Sequence, residues 1–172
     1  MNDPVRPADH PEFFRLPPPE GRSRESTIRI DRAGRFFHDG QEVEHPKLRR
    51  ALATWISRHP DDGRYILTNG YDWTYFEVED VPFFVRSVRD RDGELILELS
   101  DGTEEALHEP AAELTEEGGI RLRVKHASAG GPYDAKLTGA ALVDLSPFLK
   151  PESDGSFVIE HGALRAIVRP AR

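Results

Sequence analysis

Seven histidines, thirty-one carboxylates and twenty-three lysines and arginines carry whatever chemistry this chain performs, and there is no cysteine. No thiolate is therefore available as nucleophile or metal ligand, and no disulfide can form. The histidines are His10, His38, His45, His59, His108, His126 and His161. None has the two-histidine helical spacing of a zinc protease. His38 and His45 stand near a turn and a helix start, and are the pair best placed to approach each other. His59, beside Pro60, suits a helix C-terminus, where a cation meets the negative end of the dipole. Glu79 and Asp80 are adjacent, so on a strand they point to opposite faces and form no acid/base pair. Gly118-Gly119 and Gly130-Gly131 lack the following lysine of a phosphate-binding loop. Ser128 and Ser146 lie in no nucleophile-elbow pattern. Tyr71, Trp73 and Tyr75 crowd around Asp72 and could line a pocket. Tyr71, Trp73 and Lys136 are the ligand-binding candidates. No catalytic residue is assigned, and no metal or cofactor is expected.

Such side chains need a scaffold. Apolar residues make up 37% of the 172 and charged residues 31%, enough to fold with a well-solvated exterior. Net charge is −8, and it is concentrated: residues 77 to 119 hold fourteen acids against three bases. An acidic face repels phosphate backbones, so nucleic acid is not an expected partner. No run of eighteen apolar residues occurs, so no membrane span is expected. The N-terminal segment has no apolar stretch of signal-peptide length, and a soluble, cytoplasmic protein is the expectation.

Residues 1–26 contain six prolines and no hydrophobic period. Proline fixes φ and removes a donor, so this stretch reads as an extended or disordered arm. Phe13, Phe14 and Leu16 form its apolar knot and could dock it on the body. Strands follow at Ile28–Ile30 and Arg35–His38. Pro46 opens a helix near 46–58, with Leu48, Ala51, Leu52, Trp55 and Ile56 on one stripe. Further strands are expected at 65–67, 74–78, 83–88, 94–99 and 104–107, then a polar loop over 109–119. Ile120, Leu122 and Val124 alternate with Arg121, Arg123 and Lys125, which is the spacing of a half-buried strand whose basic face could lie beside acidic strands. A short strand at 133–137 and a second helix near 138–149 precede strands at 157–159 and 164–168.

Two stretches ninety-two positions apart read DDGRYILTNG (61–70) and SDGSFVIEHG (153–162). Each follows an amphipathic helix and precedes another strand. Asp62, Gly63, Tyr65, Ile66, Leu67 and Gly70 match Asp154, Gly155, Phe157, Val158, Ile159 and Gly162. With one residue slipped, Leu52, Trp55 and Ile56 match Leu145, Phe148 and Leu149. The expected fold is α+β, with mostly antiparallel strands, two amphipathic helices and two similar helix–turn–strand repeats. The arm would occupy 1–26, a first β-rich lobe 27–100 and a second 101–172.

The segments 28–34, 37–43, 63–68 and 78–83, with Gly130-Gly-Pro-Tyr-Asp-Ala-Lys-Leu-Thr138, resemble the bacterial family designated domain of unknown function 1285. The resemblance covers roughly residues 27–168 and is strongest over Glu79-Asp-Val-Pro-Phe83. Departures fall at Thr68-Asn-Gly-Tyr71, where the family usually has Thr-Pro-Val-Glu, and at Glu160-His-Gly-Ala163, where it often has a Trp-Ser-Gly-Gly-like stretch. The resemblance implies a two-lobed α+β fold with repeated motifs and no established activity. It suggests signalling or ligand sensing.

Three function classes follow. The first is a binding or regulatory module that takes a small ligand between its lobes. The second is a hydrolase-like enzyme whose carboxylates and histidines, among them His38, His45 and Asp80, converge only in the fold. The third is a protein-interaction scaffold that uses the acidic middle or the arm.

Overall fold

A computed structural model describes residues 5–108 and 112–171. The arm's first four residues, 109–111 of the polar loop and Arg172 lie outside the described residues. The chain divides into two compact units: residues 1–80 with 128–131, and residues 81–127 with 132–172.

The first unit opens with the proline-rich arm. Two 3-10 turns, Pro7–Asp9 and Pro11–Arg15, give it local order where an extended or disordered segment is the sequence expectation. The strands β1 (Arg29–Ile30), β2 (Phe36–His38) and β3 (Gln41–Glu42) then fold back on one another. Helix α1 (Pro46–Thr54) starts on Pro46, whose missing donor is an orphan at that position anyway. After it come β4 (Ile56–Arg58), β5 (Tyr65–Thr68), β6 (Trp73–Tyr75) and β7 (Glu77–Val78). One sheet has the order β3-β2-β1-β7 and the other is the meander β4-β5-β6.

Three expectations are corrected here. The predicted helix 46–58 ends at Thr54. The Trp55 amide closes it by donating to the carbonyls of Ala51 and Leu52, and Ile56–Arg58 pairs with β5 instead. Cross-strand hydrogen bonds outweigh helical periodicity there, and β-branched Ile56 favours the strand. Leu48 is exposed, so the buried face of the helix is Leu52 and Ala53. The predicted strand 74–78 is two strands in different sheets. It breaks at Phe76, whose side chain is buried.

The second unit has β8 (Phe83–Arg91), β9 (Glu94–Leu99), β10 (Glu104–Ala106), β11 (Ala112–Leu114), β12 (Ile120–Val124) and β13 (Tyr133–Leu137). Helix α2 (Gly139–Leu145), β14 (Leu149–Pro151), β15 (Phe157–His161) and β16 (Leu164–Pro170) complete it. These strands form one sheet in the order β10-β9-β8-β13-β12-β11-β16-β15-β14. Among the described residues of this sheet, only β8–β13 and β11–β16 are parallel. The chain is α+β and rich in antiparallel pairs.

The unit boundary falls at Asp80–Val81 rather than near residue 100. The reason is pairing: β8 bonds β9 on one edge and β13 on the other, which holds residues 83–99 in the second unit. The second helix stops at Leu145 instead of 149. Ser146–Phe148 forms a 3-10 turn on Pro147, and Leu149 enters β14. Thr138 caps α2, its hydroxyl accepting the Ala141 amide at 3.2 Å. The predicted polar loop contains β11. β12 has β11 and β13 as neighbours: Glu113 stands opposite Arg121, and Arg123 lies 3.7 Å from Asp134.

The segments after the two helices have the same local order and register. In both, a helix leads into a three-stranded antiparallel meander. Ile56 opposes Leu67 as Leu149 opposes Ile159, and Arg58 opposes Tyr65 as Pro151 opposes Phe157. Ile66 opposes Tyr75 as Val158 opposes Ile167, and Thr68 opposes Trp73 as Glu160 opposes Arg165. Ile66, Leu67, Val158 and Ile159 are all buried. Burying each of these side chains contributes about 1.5–3 kcal/mol.

Candidate functional site

Aromatic and charged side chains converge in the first unit, around the β4–β5 turn and β6. His59 directly follows β4 and is buried, although its sequence context suggests an exposed helix end. The helix has already stopped five residues earlier, and the turn carries the ring inward. The Trp73 ring centroid lies 5.0 Å from that of His59 and 5.1 Å from that of Tyr75, nearly perpendicular to the latter. Phe14 of the arm closes the cluster, 6.0 Å from both His59 and Trp73.

The hydrogen bonds of His59 assign its tautomer. The Asp61 amide donates to Nδ1 at 3.2 Å, which makes Nδ1 the acceptor nitrogen. The Phe14 carbonyl, which can only accept, lies 3.1 Å from Nε2, so the hydrogen sits on Nε2. The imidazole thus ties the turn to the arm. Trp73 is less well satisfied. Its indole Nε1 is buried without a hydrogen-bond acceptor, and Arg24 stacks over the ring at 4.4 Å. Arg24 Nη1 donates to Asp72 Oδ1 at 2.8 Å and to the Trp73 carbonyl at 2.9 Å.

Beside this cluster opens a groove of about 420 Å³, lined by Glu25, Ser26, Arg64, Tyr65, Tyr75, Phe76, Glu77 and Val78. Tyr75 belongs to both cluster and groove. Arg64 lies 3.7 Å above its ring and forks onto Glu25 at 2.8 and 2.9 Å. The Tyr75 hydroxyl donates to Asp62 Oδ2 at 2.7 Å. These contacts tune the acids. Arg64 holds the Glu25 carboxyl below the usual carboxylate range. Arg15 does the same for Asp61. Burial pushes Asp62 up, but the Tyr75 hydroxyl and the Arg64 amide donate to it and leave it lowered. Burial, then the bond to Asp62, pushes the Tyr75 phenol up.

A second groove of about 460 Å³ lies in the second unit, with Ser156, Arg165, Ile167, Arg169 and Pro170 among its lining residues. Four of these stand ninety-two positions after Arg64, Tyr75, Glu77 and Val78, which line the first groove.

The residues singled out from sequence fall in different places. Trp73 is in the aromatic cluster, beneath the arm. Tyr71 is 62% exposed on the β5–β6 turn, where Asn69 Oδ1 accepts its amide. Lys136 is in β13 of the second unit, with Nζ 3.9 Å from Glu117. His38 lies 3.6 Å from Asp39. Glu79 pairs with Arg29 at 2.6 Å. Among the described residues no three histidines or carboxylates come together as a metal site. His59, Arg24 and Arg64 were not legible as site residues, because nothing local to them announces burial or convergence. The Tyr71–Trp73–Tyr75 alternation was the one signal pointing to this region. No helix of the described residues is long and apolar enough to cross a membrane.

No family model matches the chain, and no curated protein matches it. Solved structures do. One is a DUF1285 family protein from Silicibacter pomeroyi DSS-3, 19% identical with a TM-score of 0.58, over 83% of this chain and 79% of that one. Another is a DUF1285 family protein from Shewanella baltica OS155, 18% identical with a TM-score of 0.54, over 73% of this chain and 94% of that one. The resemblance carried by the sequence segments above is thus matched in three dimensions, and this chain has the fold of DUF1285 family proteins.

Proposed function

We propose that this chain is a ligand-binding or regulatory module, and that the groove over Tyr75 receives a small molecule bearing a carboxylate. One observation carries the reading: the Glu25 carboxylate occupies the Arg64 fork on both nitrogens at the groove. Guanidinium and carboxylate match in bidentate geometry, so a ligand carboxylate can take the same position. The exchange is facile because both partners are largely exposed and such pairs contribute little. Tyr65 and Phe76 also line the groove and offer apolar surface to the rest of the ligand. Tyr71 is a candidate contact at the β5–β6 turn and Trp73 supports the groove through Tyr75. Lys136 is the candidate contact of the second unit. The matched meanders and the matched grooves support a further element of the proposal, that the two helix–meander segments are structural repeats. A protein partner of the regulatory module and a cytoplasmic location also belong to this proposal.

The test is thermal unfolding of the full chain against small organic acids. A ligand present at a hundred times its dissociation constant stabilises the fold by about 2.7 kcal/mol, a rise of several degrees for a chain of this size. Arg64→Ala is expected to abolish the rise. A hit that Arg64→Ala leaves intact, or no hit among carboxylates, removes this reading of the groove.

A further inference from the structure

Residues 8–15 of the arm are held to the first unit by a short set of anchors. Phe14 packs on His59 and Trp73, and its carbonyl accepts from His59 Nε2. Arg15 forks onto Asp61 at 2.9 to 3.3 Å. The Ala8 amide donates to the Gly70 carbonyl at 3.1 Å. No residue from 5 to 26 belongs to a strand of any sheet, and the prolines remove the donors a strand would need.

What the arm covers is not an ordinary apolar core. His59 and Asp61 are polar groups that water can also satisfy, which offsets part of the cost of uncovering the Trp73 ring. Trp73 Nε1 is a buried donor of this surface that the covering segment leaves without an acceptor. Buried donors normally have partners. The arm therefore occupies this surface without meeting all of its hydrogen-bonding capacity, and a segment supplying further carbonyl oxygens meets more of it.

We propose that the surface formed by His59, Trp73, Asp61 and the Gly70 carbonyl is a peptide-docking site. Phe14-Arg15 of the chain's own arm fills it in cis, and it opens to a segment of another protein with an aromatic residue followed by arginine. The arm is then a competitor that sets the threshold for that partner. This inference goes beyond the small-acid reading of the Tyr75 groove and is assayed separately. Arg64 has no part in it.

The probe is a fluorescently labelled peptide with the sequence of residues 7–20, PADHPEFFRLPPPE, titrated by anisotropy into the full-length chain. The double variant Phe14→Ala/Arg15→Ala releases the site and is expected to bind it. Wild type binds about tenfold or more weakly, because only the fraction with its arm open is competent. Adding Asp61→Asn to the double variant weakens binding, and a peptide with both phenylalanines replaced by alanine does not bind. Equal affinity for wild type and a folded double variant, or no binding by it, overturns the proposal. Should the double variant fail to fold, wild type decides. Excess unlabelled peptide is expected to free the arm, read as a fall in the anisotropy of a dye on a Val5→Cys variant of the otherwise cysteine-free chain, and an unchanged anisotropy overturns the proposal.

Discussion

His59 and Trp73 show how much a single side chain here depends on its neighbours. His59 answers a donor on one nitrogen and an acceptor on the other. His59→Ala strands the Phe14 carbonyl and the Asp61 amide together and opens a void. Each group left unsatisfied costs about 1–3 kcal/mol, so a total loss of roughly 2–6 kcal/mol is expected in urea unfolding. Trp73 divides differently between size and polarity. Trp73→Ala removes most of a buried ring and should cost about 3–5 kcal/mol. Trp73→Phe keeps an aromatic ring and deletes the indole N–H that has no acceptor. That deletion offsets part of the lost volume, and the expected cost is under about 1.5 kcal/mol. Equal losses for the two variants would contradict the assignment of an unpaired donor.

Turns decide the meanders, and two glycines of the second one separate conformational cost from steric cost. Gly155 and Gly162 both have positive φ, +83° and +56°. A Cβ on Gly155 meets open space, whereas on Gly162 it would lie 2.9 Å from the Gly93 carbonyl oxygen of the β8–β9 turn. Gly155→Ala therefore carries only the left-handed penalty of about 1–2 kcal/mol. Gly162→Ala carries that penalty and a backbone clash, about 1–3 kcal/mol more by the scale of overpacking. Chemical denaturation of the two variants should show Gly162→Ala as clearly the weaker. The same glycine ends the second of the two similar sequence stretches, so it marks both a turn and a close approach of two hairpins.

For the molecule as a whole, the attachments of the arm set an acid limit. Arg15 holds Asp61, and Arg64 holds Glu25, below the usual carboxylate range. A depressed carboxylate contributes its stability above its unfolded pKa, and the contribution is lost as pH falls through the folded value. Docking of the arm is thus expected to be unaffected from neutral pH down to about 4, near the unfolded carboxylate values, and to weaken below that. Trp73 fluorescence in a Trp55→Phe background reports it as a red shift preceding the loss of far-ultraviolet circular dichroism. A red shift that is complete by pH 6 would place the switch on some other group. The net charge of −8 adds to acid sensitivity only weakly, because protonation first reduces the excess.

Local patterning was enough to read the α+β class, both helix starts, the Asp-Gly turns and most strands. Periodicity of 2 or 3.6 and the φ demands of glycine and proline act within a few residues. Pro46, Gly63 and Gly155 each carry such a signal in their own type. The ends of the helices were not legible, because Ile56 and Leu149 leave the helix for partners, Leu67 and Ile159, ten or eleven residues on. The unit boundary was hidden for the same reason: the pairing of Phe83 with Ala135 bridges fifty-two positions and leaves no local mark. The site followed suit. Trp73 and Tyr75 stood out as alternating aromatics, but His59, Arg64, Glu25 and Phe14 join them only through the turn and the folded-back arm. Sequence alone determined the kinds of element and their turns, because those depend on neighbouring residues. Tertiary structure alone decided where helices yield to strands and which charges meet, because those depend on hydrogen bonds and burial between segments far apart in the chain.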